Sequence, residues 1–462
     1  MRHILGSLLA AVLLTAAQVA VADNADYDRL AQDILADLIA ANTAPSGGDD
    51  IRPAVAGLVE RLRAGGFGDG EIFVLPHAEK QPNLVIRYRS PSPVARPVLL
   101  MAHLDVVEAL PEDWSVDPFT MIEQDGYYYG RGTIDNKAGA AMLVSNFIRL
   151  RAEGFEPNRD LVVMLTADEE TTGTGAQMLI REHRDLIDAE FALNTDAGMV
   201  FLRDGVPRAF MLQTSEKVYA TFALTATDPG GHSSRPLPDN PIARLAMALV
   251  ELNAYRYPVD LNETTSAFFE RWSALAPDGD IPLIRGVLAD DAMQVARLDS
   301  YPYYNALART TCVATQITGG HAENALPQTA TATVNCRVLP QASIEETRAQ
   351  IEAFTRPYGL TVTQVGAITP SPPSPLTEDV VSPITAVAQS IWPDIVVIPE
   401  MSTGATDGLF VRNADIPVYG ISAIAIDPDD SRMHGKDERI LVQSYVDATE
   451  YWYRILKVLA GD

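Results

Sequence analysis

Short uninterrupted apolar runs, set between helical patterns, constrain this chain more than any other feature. Val98-Leu99-Leu100-Met101 is a continuous apolar run within 97–107, a second run covers 161–165, and a third strand-like run covers 190–193. Strands without polar alternation suit burial on both faces, the usual state of parallel strands packed between helices. The intervening segments 137–151 and 175–182 read as helices, the first with small residues on one side and a stop near Gly154. A further strand is expected at 83–88, after a helical pattern over 27–67 that Gly65-Gly66 ends. This alternation predicts an α/β domain built on a doubly wound mixed sheet.

The texture changes after about Ser215. Residues 218–226 alternate like a half-exposed strand, and 241–254 form an amphipathic helical pattern. Two strand-like runs at 310–318 and 329–339 form a hairpin, followed by a helix at 344–354 and a strand at 360–365. That β-α-β-β-α-β order predicts a split βαβ sandwich. Pro370-Ser371-Pro372-Pro373-Ser374-Pro375 reads as a stiff linker. Strand and helix patterns then resume, including 416–421 and a final helix at 443–459. The expected architecture is an α/β domain in two parts, 23–215 and 369–462, interrupted by an inserted α+β domain, 216–368. Residues 257–309 have no assignment, and shaping a pocket or a dimer contact are both open to them.

Arg2 and His3 precede an apolar run over 4–21 that closes in Ala20-Val21-Ala22. This small-x-small ending predicts a secretory signal peptide cut after Ala22, and hence a periplasmic or secreted protein. An uncleaved anchor is the alternative, since the run is just long enough to span a bilayer. No later run is. Cys312 and Cys336 stand opposite each other in a hairpin folded about Asn324. In an oxidising compartment a disulfide would form, and a pair of buried strand thiols is equally open. The formal charge of −26 opposes nucleic-acid binding, because such a surface repels phosphate. With 47% apolar and 21% charged residues, the chain is neither disordered nor a polytopic membrane protein.

Unusual polar residues collect at the ends of the expected strands. His103-Leu104-Asp105 closes the first, Asp168-Glu169-Glu170 the second, and Asp196 follows the third. Asp135 ends Gly130-Arg131-Gly132-Thr133-Ile134-Asp135, just before a helix. Ligand sites in open α/β sheets gather at the carboxyl ends of strands. One histidine with at least three carboxylates suits a divalent cation such as zinc, manganese or cobalt. Each element alone has a bland reading: a capped loop for His103-x-Asp105, a helix N-cap for Asp135, a solvated loop for Glu169-Glu170.

Taken in order, these stretches resemble the co-catalytic zinc exopeptidase family of glutamate carboxypeptidase, aminoacylase and succinyl-diaminopimelate desuccinylase. The resemblance rests on Met101-Ala-His-Leu-Asp-Val-Val107, Gly130-Arg-Gly-Thr-Ile-Asp-Asn-Lys137, Thr166-Ala-Asp-Glu-Glu170 and Asn194-Thr-Asp-Ala-Gly198. It continues through Gly230-Gly-His-Ser-Ser234, Gly319-Gly-His-Ala-Glu-Asn-Ala-Leu-Pro327, Gly404-Ala-Thr-Asp407 and His434-Gly-Lys-Asp-Glu438. Arg309-Thr-Thr311 and Val334-Asn-Cys-Arg-Val-Leu-Pro340 make it most similar to the carboxypeptidase S branch.

The resemblance implies two divalent ions, with zinc expected and manganese or cobalt as alternatives. Asp135 would bridge them, His103 and Asp196 would complete one site, and Glu170 and His434 the other. Asp105 would orient His103, and Glu169 would be the general base. His232, in the inserted domain, would stabilise the oxyanion, often in the partner subunit's active site. Asn324 and Arg337 would bind substrate, Arg337 as a planar fork for a carboxylate. Gly404 and Thr406 would lie on a loop facing the substrate. His183 and His321 match nothing and are expected at the surface. Asn136 replaces a Met common in relatives, and Asp196 stands where many carry Glu.

The implied activity is cleavage of an amide bond beside a free C-terminal carboxylate, as by a carboxypeptidase or dipeptidase. N-acyl amino acid hydrolysis is the alternative, so the partner is a small peptide or an N-acyl amino acid. A non-catalytic solute-binding protein on the same fold is a remote one. The inserted domain would act as lid and dimerisation surface, hinged near Ser215 and Pro370. No Gly-x-Ser-x-Gly elbow and no His-Glu-x-x-His occurs.

Overall fold

A computed structural model describes residues 24–461; the signal segment expected at 1–22 lies outside the described residues. The 27–67 pattern is two helices, Asn24–Ala40 and Arg52–Ala64, separated by a 3₁₀ turn at Pro45–Gly47. Proline explains the break. It lacks the N–H a helix interior needs, so Pro53 fits only in the first turn of the second helix. Among the described residues, no helix is long and apolar enough to cross a membrane.

The large sheet is mixed. Its strands run in the order Ile72–Ala78, Gln81–Tyr88, Leu161–Thr166, Val98–His103, Phe191–Asn194, Val418–Gly420, Val206–Glu216, Val200–Arg203 and Ala425–Ile426, with Val396–Ser402 paired parallel to Val206–Glu216. Leu161–Thr166, Val98–His103, Phe191–Asn194 and Val418–Gly420 are mutually parallel neighbours. Every residue of these four strands is buried, as expected for strands covered on both faces. Leu100, Val163 and Leu193 are wholly inaccessible, and burying each stabilises the fold by about 1.5–3 kcal/mol. The helix Lys137–Ala152 is buried along most of its length against them, which explains its small residues.

Five strands of this sheet are not legible from periodicity: Ile72–Ala78, Val200–Arg203, Val206–Glu216, Val396–Ser402 and Ala425–Ile426. Val206–Glu216 is the instructive one. It begins exposed and ends in Gln213-Thr-Ser-Glu216, four buried polar residues. Their partners are remote. Glu216 accepts from Gln213 Nε2 (2.8 Å) and Thr406 Oγ1 (2.6 Å) and lies 3.0 Å from Arg412 Nη2.

The second sheet is antiparallel, ordered Thr311–Gly319, Thr329–Val338, Val218–Thr227, Thr361–Val365. Helices Pro241–Ala254 and Ile344–Thr355 cover one face, where Phe222, Leu224, Leu245, Val334 and Ile351 make a separate core. This is the split βαβ order read from the sequence. Residues 257–309 do something different. Their helices Glu263–Trp272, Ile281–Leu288 and Pro302–Ala308 bury Phe268, Phe269, Ile284 and Leu307 against Ala209, Met211, Ile398 and Met401 of the large sheet. They leave the inserted sheet and return to the catalytic core. The Pro-rich stretch is tied to that core as well, through Ser374 N–H to Thr214 O (2.7 Å) and Ser374 Oγ–H to Val418 O (2.7 Å).

Cys312 and Cys336 face each other across the Thr311–Gly319 and Thr329–Val338 pair and are joined by a disulfide. The bond closes a loop of sequence separation 24, for which chain entropy gives about 3 kcal/mol. The C312S/C336S double variant should therefore lose about 3 kcal/mol of unfolding free energy relative to the oxidised parent, read as a lower denaturant midpoint. An unchanged midpoint would mean that strand pairing alone holds the hairpin.

Candidate metal centre and substrate cavity

The carboxyl ends of the parallel strands bring the charged residues together. His103 ends its own strand, opposite Thr166 in register, and Asp196 lies just beyond Asn194, which pairs with Met101. Asp135 closes the loop that enters the Lys137–Ala152 helix, and the Asp135–Asn136 peptide is cis. A turn at Gly198 returns the chain after Asp196. Its φ is +75°, and a Cβ there would stand 2.1 Å from the Gly420 carbonyl oxygen.

Asp135 occupies the centre. One of its oxygens is 2.9 Å from His103 Nε2 and the other 2.9 Å from His434 Nε2. His103 Nε2 also lies 3.5 Å from Asp196, and His434 Nε2 lies 3.2 Å from Glu170. The side-chain atoms of His103, Asp135 and Glu170 lie within 4.8 Å of one another, as do those of His103, Glu169 and Asp196. The geometry therefore has two halves that share Asp135, with Glu169 beside the His103–Asp196 half.

Asp105 ties the halves together from behind. Its carboxylate accepts the Glu169 and Glu170 backbone N–H groups (3.1 and 2.9 Å). Its carbonyl oxygen sits 3.0 Å from His103 Nδ1, so an Nδ1–H donor leaves Nε2 free as a ligand. Asp168 belongs elsewhere. Its carboxylate accepts from Thr174 N–H and Gly175 N–H (both 2.8 Å), capping the helix Thr174–Glu182, and lies 3.4 Å from His77.

The electrostatics are strained in a way a cation relieves. Burial, reinforced by Asp196, pushes the Glu169 carboxyl well above its ordinary range. Burial also pushes Asp196 up to about 7, against the pull of His103. Burial opposes charge on His103, yet the surrounding carboxylates, Asp196 first, lift it well above its ordinary value. Hydrogen bonds to Asp135 and Glu170 raise His434 to about 10. Glu170 Oε1 is buried and faces His434 Nε2 at 3.2 Å. Two imidazoles facing several converging carboxylates fit a pair of divalent cations.

Sequence reasoning missed what holds Asp135. Glu438, wholly buried, accepts from the backbone N–H groups of Ile134 (2.7 Å), Asp135 (3.2 Å) and Gly132 (3.1 Å) and from Arg131 Nη1 (2.6 Å). Arg131 in turn lies over the Trp114 ring, 5.1 Å from its centroid. Both residues fall within stretches that carried the resemblance, and only burial identifies their work.

A cavity of about 540 Å³ opens on the cluster, lined by Asp135, Glu169, Glu170, Asp196 and His434 on one side. Gly404 and Thr406 line it too, as expected. The Thr406 hydroxyl, however, is taken up by Glu216 Oε1, Asn194 Nδ2 (3.3 Å) and Gly408 N–H (3.0 Å), so it shapes the loop. Arg337 reaches across from the inserted sheet and donates to Thr403 O (3.3 Å), its guanidinium stacked on Tyr219. His232 and Asn324 are exposed neighbours on the inserted domain and are not among the residues that line the cavity.

The chain is similar to known proteins over most of its length. The family model described as peptidase family M20/M25/M40 matches residues 99–458. The N-fatty-acyl-amino acid synthase/hydrolase PM20D1 of Homo sapiens is 30% identical over 379 residues, which cover 79% of this chain and 74% of that protein. Aminoacylase-1 of Homo sapiens is 26% identical over 417 residues, covering 89% of this chain and 91% of that protein. The crystal structure of the M20 family metallo-carboxypeptidase Sso-CP2 from Sulfolobus solfataricus superposes with a TM-score of 0.68 at 18% identity, over 93% of this chain and 99% of that one.

Proposed function

The chain belongs to peptidase family M20/M25/M40, and from that membership we propose an exported metal-dependent hydrolase that cleaves an amide bond beside a free C-terminal carboxylate, as a carboxypeptidase or dipeptidase does. The observation that carries this reading is Asp135 held between His103 and His434, with Glu169 at the same cavity wall. His103, Asp135 and Asp196 would hold one cation, and Asp135, Glu170 and His434 the other, zinc being the expected metal. Bound there, the pair would supply Lewis acidity toward the scissile carbonyl and the attacking water.

The residues of the chain do the rest. Glu169, whose burial raises the proton affinity of its carboxylate, takes the proton from the attacking water and returns it to the leaving amine. Arg337 presents its guanidinium beside the Thr403–Gly404 loop, where a substrate carboxylate would be met by a planar fork. On His232, Nδ1 accepts the Ser234 N–H (3.2 Å), so the neutral ring carries its proton on Nε2, the tautomer that donates to an oxyanion. Because His232 and Asn324 are exposed in the single chain, their role requires lid closure or a second copy docked through the inserted domain. The disulfide supports export, since such bonds persist in oxidising compartments.

N-acyl amino acid hydrolysis is the second reading. It is favoured by the apolar part of the cavity wall, where Met199, Phe201, Ile426 and Met433 could hold an acyl chain, and by the substrate class in the PM20D1 relative's name. Hydrolysis should be measured on free dipeptides, N-acetylated and long-chain N-acyl amino acids, and C-terminally amidated controls, with and without chelator. Chelator-sensitive cleavage confined to free-carboxylate substrates is expected, and the preferred acyl side selects between the two readings. Equal cleavage of amidated controls would remove Arg337 from carboxylate recognition.

A further inference from the structure

The unassigned 257–309 segment contributes directly to the cavity wall. Its last helix, Pro302–Ala308, carries Tyr303, which lines the cavity together with Glu400 of the strand Val396–Ser402. The Tyr303 hydroxyl donates to Glu400 Oε1 at 2.8 Å. The ring itself stays 40% exposed and packs edge-on against Phe268. Glu400 is a carboxyl in an unusual position. Among the described residues, no lysine, arginine or histidine pairs with it, and Tyr303 is its one side-chain hydrogen-bond partner. Around it the wall is largely apolar, with Met199, Phe201 and Ile426 in the same cavity. Other buried carboxylates near the site have protein partners: Asp105 and Glu438 hold backbone, Asp168 caps a helix, Glu216 pairs with Arg412.

We propose that Glu400 and Tyr303 form a subsite that binds a cationic group of the substrate, an ammonium or guanidinium. The inference rests on the reading of this cavity as the substrate site. An uncompensated carboxylate in an apolar wall is costly unless a cation completes it, and the substrate is the group that can enter. Burial pushes the Glu400 carboxyl up to about 7, as expected of a site whose counter-charge arrives with the ligand. Tyr303 orients the carboxylate without neutralising it, and the inserted helices lock Tyr303 in place.

The test compares three ligands with the same free carboxylate. Norleucyl-leucine carries an α-ammonium, N-acetyl-lysyl-leucine a side-chain ammonium, and N-acetyl-norleucyl-leucine no cation. kcat/KM is measured on the metal-replete enzyme, and Kd by calorimetry in a Glu169→Gln background. At least one cationic ligand should exceed the neutral one by about tenfold in both readouts, the ratio one charge-assisted hydrogen bond supplies. Which of the two gains identifies the source of the cation. Glu400→Gln should bring the ratio close to one, and Glu400→Asp, which keeps the charge, should retain part of it; the latter decides if the Gln variant fails to fold. Equal values for all three ligands, or a preference that both variants leave intact, would overturn the proposal. Cleavage without cation preference sinks the subsite alone, whereas a calorimetric preference without cleavage sinks the amide-hydrolase reading and leaves the subsite standing.

Discussion

Replacing Glu169 with glutamine is expected to cut kcat by roughly 10³-fold or more, within the range general acid–base groups supply, while metal content stays near that of the parent. The reason is positional. Glu169 stands beside the His103–Asp196 half of the cluster, but its neighbour Glu170 contacts His434, and both backbone amides hang on Asp105. Glutamine keeps those amide bonds and nearly the same volume, so the fold and the ligand positions should survive. What it loses is the ability to accept a proton from water. Metal analysis and turnover on one protein sample separate the outcomes. Parallel loss of metal and activity would mean that Glu169 binds metal and that the roles of the two adjacent glutamates are exchanged.

Asp135→Asn should have the second large effect, and a different signature. Each Asp135 oxygen now contacts one imidazole, His103 or His434. An amide offers one acceptor oxygen and an NH₂ that opposes a cation, so one half of the site loses a ligand and both lose charge. Metal stoichiometry should fall below two per chain, and activity should drop by roughly 10³-fold, several kcal/mol of transition-state stabilisation. Circular dichroism and the unfolding midpoint of chelated protein should change little, because Glu438 holds the loop through backbone N–H groups and Arg131, not through the Asp135 side chain. Full metal occupancy in this variant would show that the bridging assignment is wrong.

Particular residues show where sequence reading succeeds and where it stops. His103, Glu170 and Asp196 converge because they follow parallel strand ends, a geometric consequence of the apolar runs that precede them, whereas Asp135 and His434 reach the same place on loops outside that sheet. Asp168 sits one position from Glu169, yet it turns the other way and caps a helix. Alternation along a strand cannot settle this, since the segment has already left the strand at Thr166. Thr406 lies on the expected loop, but its hydroxyl is consumed by Glu216, a residue 190 positions away. His232 and Asn324 are brought together by the pairing of Gly231–His232 with Ala325–Leu326, a contact between distant segments that no local pattern records.

The sequence by itself determined the two kinds of sheet, the family, the order of the ligand-bearing strand ends and the residues able to hold metal. All of these follow from local periodicity and from short motifs whose members sit within a few positions of one another. Tertiary structure alone decided the pairing of Cys312 with Cys336, the Glu438–Arg131 cradle under Asp135, the return of 257–309 to the catalytic sheet, and the meeting of Tyr303 with Glu400. Each of these joins segments far apart in the chain, or leaves open in the sequence which of two buried states a side chain adopts. Burial and long-range hydrogen bonding are properties of the packed whole, and hydrophobic periodicity carries no record of them.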